Sequence, residues 1–149
     1  MTKQTSENID ITTLPNGVRI ISETVPHVQS ISLGLWVGTG SRDEAPAIRG
    51  ISHFIEHMLF KGTQKRTAWE IADTIEARGG HLNAFTGKET TCYETRVLSE
   101  DLELSMDILT DMFRNSVHDP EEMEREKRVV IEEIKMYEDT PEEQVPAAT

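Results

Sequence analysis

Apolar residues recur along this chain first at every second position, as in strands, and then at every 3.6 positions, as in helices. The same change from a spacing of two to a spacing of 3.6 then occurs a second time. Period-two segments predict three strands before residue 40 and two more between residues 81 and 98, and a pair of helices follows each group. The predicted order is therefore β, β, β, α, α, β, β, α, α. Strands and helices that are grouped rather than strictly alternating are typical of an α+β fold with a mainly antiparallel sheet.

Turn and cap signals predict where these elements begin and end. Pro15-Asn16-Gly17 separates two strands, and Asn-Gly favours a hairpin turn because both residues tolerate positive φ. Thr67 and Glu70 form a capping box for the second helix. The strands are expected at 10–14, 18–22, 30–37, 81–86 and 91–98; the helices at Ile48 to Phe60, Thr67 to Gly79, Ser99 to Phe113 (apolar face Leu102, Met106, Leu109 and Phe113), and Asp119-Pro120 to a point before Pro141.

The chain is acidic, and the acidity is unevenly distributed. Its 149 residues carry 15 Lys+Arg and 27 Asp+Glu, a formal net charge of −12, of which −10 lies in residues 101–149. Such a field repels polyanions, so we expect neither a nucleic acid nor a membrane as a partner. The acidic third is either a solvated helix face or a surface that steers basic peptides towards a cleft.

The single cysteine, Cys92, excludes an intrachain disulfide, so a reducing cytoplasm is the simplest location. The first ten residues lack the features of a signal or transit peptide, and the longest apolar run is too short to span a bilayer. We predict that Cys92 is a small buried hydrophobic residue. Trp36 and Trp69 are predicted to anchor the core or the packing of helices.

The segment His53-Phe54-Ile55-Glu56-His57 carries the strongest chemical signal. On a helix, His53 and His57 project from the same side one turn apart and can bind one face of a tetrahedral zinc ion. Glu56 lies on the flank of that face, where it can accept a proton from a water molecule whose pKa zinc lowers to about 7. Two histidines and a chance glutamate on a buried amphipathic helix remain the alternative.

The fourth predicted helix offers a third ligand. Glu126 and Glu133 are seven residues apart, close to two turns, and therefore share a helix face. Their neighbours on that face are mostly apolar: Met123, Val129, Val130, Ile134 and Tyr137. Carboxylates in an apolar stripe are costly to bury without a cation or strong hydrogen bonds, and a metal on the facing helix removes that cost. A solvated pair of glutamates on an acidic helix is the alternative.

These features resemble the pitrilysin/insulinase family of inverzincin metallopeptidases, in particular mitochondrial processing peptidase β-subunits and bacterial processing-protease-like proteins. The resemblance runs from about Thr13 to Thr140, and the segments that carry it, in order, are 14–17, 36–44, 50–63, 79–86 and 126–134. It implies an α+β half-domain with helices on one face of the sheet, incomplete at its C-terminus.

The resemblance also implies the roles of particular residues. Zinc would be held by His53, His57 and Glu133; Glu132 is adjacent, and a one-residue shift of the match would exchange the two glutamates. Glu56 matches the general base. Glu126 matches a glutamate that assists zinc binding or orients water. Asn83, Ala84 and Phe85 match an edge strand to which the substrate peptide pairs through its main chain.

Two homologous halves, within one chain or across two subunits, close around the peptide in that family. The resemblance covers most of the first half and none of the second, so we expect a homologous second half or subunit in a homo- or hetero-oligomer. An Arg/Tyr pair of the second half that contacts the substrate has no counterpart here. We assign residues 1–140 to a partial N-terminal metallopeptidase domain and expect 141–149 to be a disordered tail.

The predicted function is that of a zinc-dependent endopeptidase of the processing-peptidase type, which hydrolyses extended peptides or unfolded segments. The second half would be needed for full activity. The alternative is a non-catalytic metal-binding module, or an inactive fragment, that pairs with a homologous partner. A structural α+β domain without metal is a third hypothesis.

Overall fold

The computed structural model describes residues 1–6 and 8–138, so the predicted tail at 141–149 lies outside the described residues. Antiparallel pairing joins the strands into two sheets, with the orders β1-β2-β3 and β4-β6-β5. The predicted α+β class is confirmed. The strands are β1 (Thr2–Ser6), β2 (Ile9–Thr13), β3 (Arg19–Glu23), β4 (Ser30–Val37), β5 (His81–Thr86) and β6 (Thr91–Leu98), and the helices are α1 (Ile51–Leu59), α2 (Ala68–Glu76), α3 (Leu102–Asn115) and α4 (Pro120–Glu138).

The first sheet contains the predicted hairpin and one strand that was not predicted. β2 and β3 pair around Gly17, whose φ of 88° is accessible to glycine at little cost. β1 adds a third strand on the outer side of β2. Ile20 and Ile21 of β3 are exposed, so this sheet buries little apolar surface within the described part of the chain.

The second sheet carries the core on one face. In β4 the alternate residues Ile31, Leu33, Leu35 and Val37 pack against the buried cluster, as strand periodicity requires. Helices α1, α2 and α3 and strand β6 supply the buried cluster itself, which consists of Leu59, Ile71, Ile75, Tyr93, Val97, Ile108, Leu109 and Met112. The helices therefore lie on one face of the sheet, as the resemblance implied.

Helix α1 begins at Ile51, later than predicted, because residues 46–48 form a separate 3₁₀ turn and Gly50 adopts a φ of 87°. The Glu44 carboxylate accepts hydrogen bonds from the N–H groups of Gly50, at 2.7 Å, and Ser52, at 2.9 Å. Burial raises the pKa of Glu44, but these hydrogen bonds outweigh it and hold the pKa below its ordinary value. A carboxylate at this end satisfies free N–H groups and complements the helix dipole, which fixes where α1 starts.

The caps of α2 and α4 agree with the predictions. Thr67 and Glu70 form the capping box of α2, and Asp119 accepts hydrogen bonds from the N–H groups of Glu121 and Glu122 at 3.0 and 3.1 Å. α4 therefore begins one residue after a side-chain cap.

The predicted apolar face of α3 was right for Leu109, which is buried, but wrong for Met106 and Phe113, which are exposed. Ile108 and Met112 complete the buried stripe in their place. Ser105 belongs to that stripe because its hydroxyl is hydrogen-bonded to Thr95 of β6, so a polar residue occupies a core position without an unsatisfied group.

The prediction for the two tryptophans was also wrong, whereas that for Cys92 is confirmed. Trp36 is 62% exposed and Trp69 70% exposed. Trp36 lies on the open face of the second sheet, where it meets Phe85 edge-on with ring centroids 5.5 Å apart. In the register, Cys92 sits between these two aromatic residues; it is fully buried, and burial raises the pKa of its thiol to about 11.

A buried polar network ties the segment after α1 to α3. Asp111 is 2% exposed and accepts hydrogen bonds from Thr63, Arg66 and Asn115 at 2.7, 2.7 and 2.8 Å. Because Asp111 accepts a hydrogen bond from each of these three side chains, its negative charge is buried with hydrogen-bond partners in place. Within the described ranges, no helix is both long and apolar enough to cross a membrane.

Candidate metal centre

Two helices bring the three predicted metal ligands together. α1 presents His53 and His57 on one side, with their Nε2 atoms 3.0 Å apart. α4 packs against α1 and places Glu133 Oε2 at 3.6 Å from His53 Nε2 and 3.5 Å from His57 Nε2. Among the residues that the structure describes, this is the one group of three or more His, Cys, Asp and Glu side chains whose ligand atoms could share a metal.

The spacing of the three ligand atoms fits zinc. Ligands at 2.0–2.1 Å around a tetrahedral ion lie roughly 3.3 Å from one another. The observed separations of 3.0, 3.5 and 3.6 Å lie on both sides of that value. Two imidazole nitrogens and one carboxylate oxygen are also a donor set of catalytic zinc sites, which keep a fourth position open. The residues present are therefore compatible with zinc.

Glu126 fixes the orientation and the tautomer of His57. Its Oε1 is 2.8 Å from His57 Nδ1, and a carboxylate at this place requires the imidazole proton on Nδ1. The lone pair is then on Nε2, which faces His53 and Glu133. A hydrogen bond of this kind orients a metal-binding histidine and raises its basicity.

Lys61 completes this arrangement from the end of α1. Its Nζ is 2.6 Å from Glu126 Oε2, and Glu126 is only 5% exposed. Burial raises the pKa of Glu126, but the hydrogen bonds from Lys61 and His57 outweigh it and leave the pKa below its ordinary value. Glu126 is therefore held as a carboxylate against the outer nitrogen of His57.

The geometry separates the two adjacent glutamates of α4. Glu133 faces the histidines, whereas Glu132 is exposed and pairs with Lys135 at 2.7 Å on the outer side of the helix. This placement favours Glu133 as the third ligand, and the ligand assignment itself stays a prediction. Val129 and Ile134 beside it are partly exposed, so the apolar stripe of α4 is less buried than its sequence predicted.

Glu56, the neighbour of His57 in α1, is anchored to β5. It is 9% exposed, and its Oε2 accepts a hydrogen bond from the Thr86 hydroxyl at the end of that strand. The charge of the same carboxylate also acts on Tyr93 of β6. Burial, and to a lesser extent the negative charge of Glu56, raise the pKa of Tyr93 to about 12. Glu56 is thus anchored in the sheet while its neighbour His57 faces the other helix.

A cleft of about 220 Å³ lies between α1, β5 and α4. It is lined by Glu56, His57, Phe60, Lys61, Asn83, Ala84 and Glu126. In the described part of the chain β5 is an edge strand, since it pairs with β6 on one side only. Asn83 and Ala84 therefore lie at a free strand edge beside the ligand residues, whereas the Phe85 side chain packs against Trp36 on the open sheet face.

Two residues of this site, Lys61 and Thr86, were missed in the sequence. Lys61 lies two residues beyond the last residue of α1 and past the predicted end of that helix at Phe60, so helix-face spacing did not single it out. Thr86 lies two residues after Ala84 and therefore on the same face of β5. No local sequence pattern indicates that its hydroxyl contacts Glu56, because that contact depends on how α1 packs against β5.

Similar proteins carry names that agree with a metal-dependent protease. An uncharacterized zinc protease of Bacillus subtilis is 54% identical over 88% of this chain and 32% of its own length. An uncharacterized zinc protease of Mycobacterium leprae is 52% identical over 89% of this chain and 30% of its own length. The chain thus spans about a third of the length of these curated relatives.

The fold and the family agree with these relatives. A crystal structure of a protease from Helicobacter pylori superposes with a TM-score of 0.85 at 26% identity, covering 91% of this chain and 33% of the other. The family model of the insulinase family, peptidase family M16, matches residues 19–149, which include both helices of the candidate metal centre. The chain therefore belongs to the insulinase family of peptidases, M16.

Proposed function

We propose that this chain is the zinc-binding part of a metalloendopeptidase, with residues 1–140 belonging to its N-terminal domain. The observation that carries the proposal is the convergence of His53 Nε2, His57 Nε2 and Glu133 Oε2 beside the buried carboxylate of Glu56. Three nitrogen and oxygen ligands next to a general base are the arrangement that metal-assisted hydrolysis requires.

In this proposal the three ligands hold a zinc ion, which when bound supplies Lewis-acid activation of water and of the peptide carbonyl. Glu56 accepts the proton of the attacking water and later passes it to the leaving amine. Thr86 donates a hydrogen bond to Oε2 of this carboxylate, which leaves the full accepting capacity of Oε1 for proton exchange. Glu126 keeps the His57 lone pair on the ligand side by accepting a hydrogen bond from Nδ1–H.

The substrate in this proposal is an extended peptide that adds to the free edge of β5. Main-chain hydrogen bonds to an edge strand give affinity with little demand on side chains, which suits unfolded segments. Asn83 and Ala84 line the cleft that also contains Glu56 and His57, so a peptide along this edge passes the base. The acidic charge of the chain favours basic peptides among such substrates.

We further propose that full activity needs a second, homologous half. The curated relatives are about three times as long as the stretch they share with this chain, and the candidate site lies in an open cleft. A missing donor for the developing oxyanion costs about 10²–10³ in rate, so cleavage by this chain alone is expected to be slow.

The test is cleavage of an unstructured basic peptide by the zinc-reconstituted chain, with the fragments identified by mass spectrometry. Glu56→Gln should abolish cleavage while zinc stays bound, because the ligands are intact. Glu103→Gln, on the exposed side of α3, is the matched control and should cleave at the wild-type rate. Equal cleavage by wild type and Glu56→Gln would contradict the mechanism. Zinc binding without any cleavage would favour the non-catalytic metal-binding module.

A further inference from the structure

A hydrogen bond between Thr86 of β5 and Glu56 of α1, the proposed general base, connects the strand to the helix. Side chains of β5 alternate, and Leu82, Ala84 and Thr86 share the face that meets the helices. Ala84 is small, which lets α1 approach the strand closely. At the next position on that face the Thr86 hydroxyl donates a hydrogen bond to Glu56 Oε2.

This hydroxyl is the one hydrogen-bond donor that the described part of the chain provides to the Glu56 side chain. Glu56 is 9% exposed and has several rotatable bonds, so a single anchored oxygen decides where the other oxygen points. Glu56 also lines the cleft between α1, β5 and α4. With Oε2 tied to the strand, the carboxylate is held at the wall of that cleft.

We propose that Thr86 is a positioning residue, which fixes the Glu56 carboxylate relative to the strand on which the substrate lies. This inference rests on the proposed function, in which Glu56 is the base and the free edge of β5 binds the peptide. One strand then sets both the path of the peptide and the place of the base. The distance between base and scissile bond is fixed by a single rigid element rather than by a flexible side chain alone.

Three variants separate positioning from a merely structural role. Thr86→Val removes the hydroxyl at nearly constant volume, and Thr86→Ser restores it. Thr91→Val is the matched control: Thr91 lies directly opposite Thr86 in the register, and its hydroxyl donates to the Thr39 carbonyl at 3.0 Å rather than to Glu56. The control therefore loses a comparable hydrogen bond in the same part of the sheet.

The first experiment is a double-mutant cycle on the metal-free chain, by urea unfolding. Hydrogen bonds to charged groups predict that Thr86→Val lowers the folding equilibrium constant about tenfold or more. In the Glu56→Met background the same change should cost less than about threefold, because the acceptor is gone. Equal effects in both backgrounds would overturn the contact on which the proposal rests.

The second experiment measures kcat and KM for peptide cleavage by the zinc-loaded chain. Thr86→Val should lower kcat about 10- to 100-fold with KM within about twofold, since the base is displaced and the strand edge is unchanged. Thr86→Ser should recover most of kcat, and Thr91→Val should keep it. A Thr86→Val enzyme with wild-type kcat, or one that Thr86→Ser does not rescue, overturns the positioning role.

The two experiments also distinguish this inference from the proposed function. If wild type binds zinc but cleaves nothing, the proposed activity of this chain fails. The unfolding cycle then decides alone, with coupling between Thr86 and Glu56 supporting the positioning contact and additivity overturning it.

Discussion

Removing the Glu126 carboxylate is expected to weaken zinc binding without touching a ligand. Glu126 Oε1 accepts a hydrogen bond from His57 Nδ1–H at 2.8 Å, and its Oε2 forms an ion pair with Lys61 Nζ at 2.6 Å. Glu126→Ala frees the His57 ring to rotate and leaves the Lys61 ammonium uncompensated near a cation site, and both effects oppose zinc. Loss of such a partner typically costs 10- to 100-fold in metal affinity, which corresponds to about 1.4–2.7 kcal/mol.

Glu126→Gln divides this effect into its two parts. The amide oxygen of the new glutamine can still accept a hydrogen bond from His57 Nδ1–H, so the ring stays oriented while the negative charge is lost. The expected loss of zinc affinity is therefore smaller than for Glu126→Ala. The assay is competition with a zinc-binding dye at neutral pH, with circular dichroism to verify folding. Glu124→Gln, an exposed residue of the same helix paired with Lys127, is the control. Zinc affinity of Glu126→Ala within twofold of wild type would contradict the role assigned to this carboxylate.

Two further predictions concern the stability of the fold around the site, at Asp111 of α3 and at Gly40 in the loop before α1. Burial raises the pKa of Asp111, but hydrogen bonds from Asn115, Thr63 and Arg66 outweigh it and leave the pKa below its ordinary value. The ionised Asp111 carboxylate therefore stabilises the fold fully above about pH 4, and this stabilisation is lost as the pH falls through the folded-state pKa. The difference in unfolding free energy between wild type and Asp111→Asn, measured by urea denaturation, should shrink from pH 6 to pH 3, and a constant difference would contradict this assignment. Gly40→Ala should destabilise the fold because its Cβ would lie 2.5 Å from the Gly87 carbonyl oxygen, and an unchanged thermal midpoint would show that the loop before α1 shifts freely.

Local sequence signals predicted those elements whose boundaries depend on local chemistry. β5 and β6 have the predicted bounds, since Gly79-Gly80 and the Gly87 turn interrupt their period-two patterns. β1 was missed because Thr2–Ser6 is polar throughout and offers no alternation; it pairs along β2 through its main chain. Polarity patterns cannot reveal a strand of that kind.

The predicted ligand residues and Glu126 could be identified from the sequence, whereas Thr86 could not. His53, His57 and Glu133 follow from spacing within single helices and from the resemblance to a family. Which residues share one face of a helix depends only on their spacing and not on what the helix packs against. The contact between Thr86 and Glu56 depends on the docking of α1 against β5, and no spacing encodes it. The exposure of Trp36 has the same origin, since the side of the sheet that the helices cover is decided by the whole fold.

The most direct test of the metal centre is the zinc content of three purified chains after dialysis against buffered zinc. We expect about one zinc per chain for wild type, as a single three-ligand site requires. Glu132→Gln should retain the same content, because Glu132 pairs with Lys135 on the outer side of α4, whereas Glu133→Gln should fall well below it. Full zinc in Glu133→Gln, or loss of zinc in Glu132→Gln, would contradict the assignment of Glu133 beside His53 and His57.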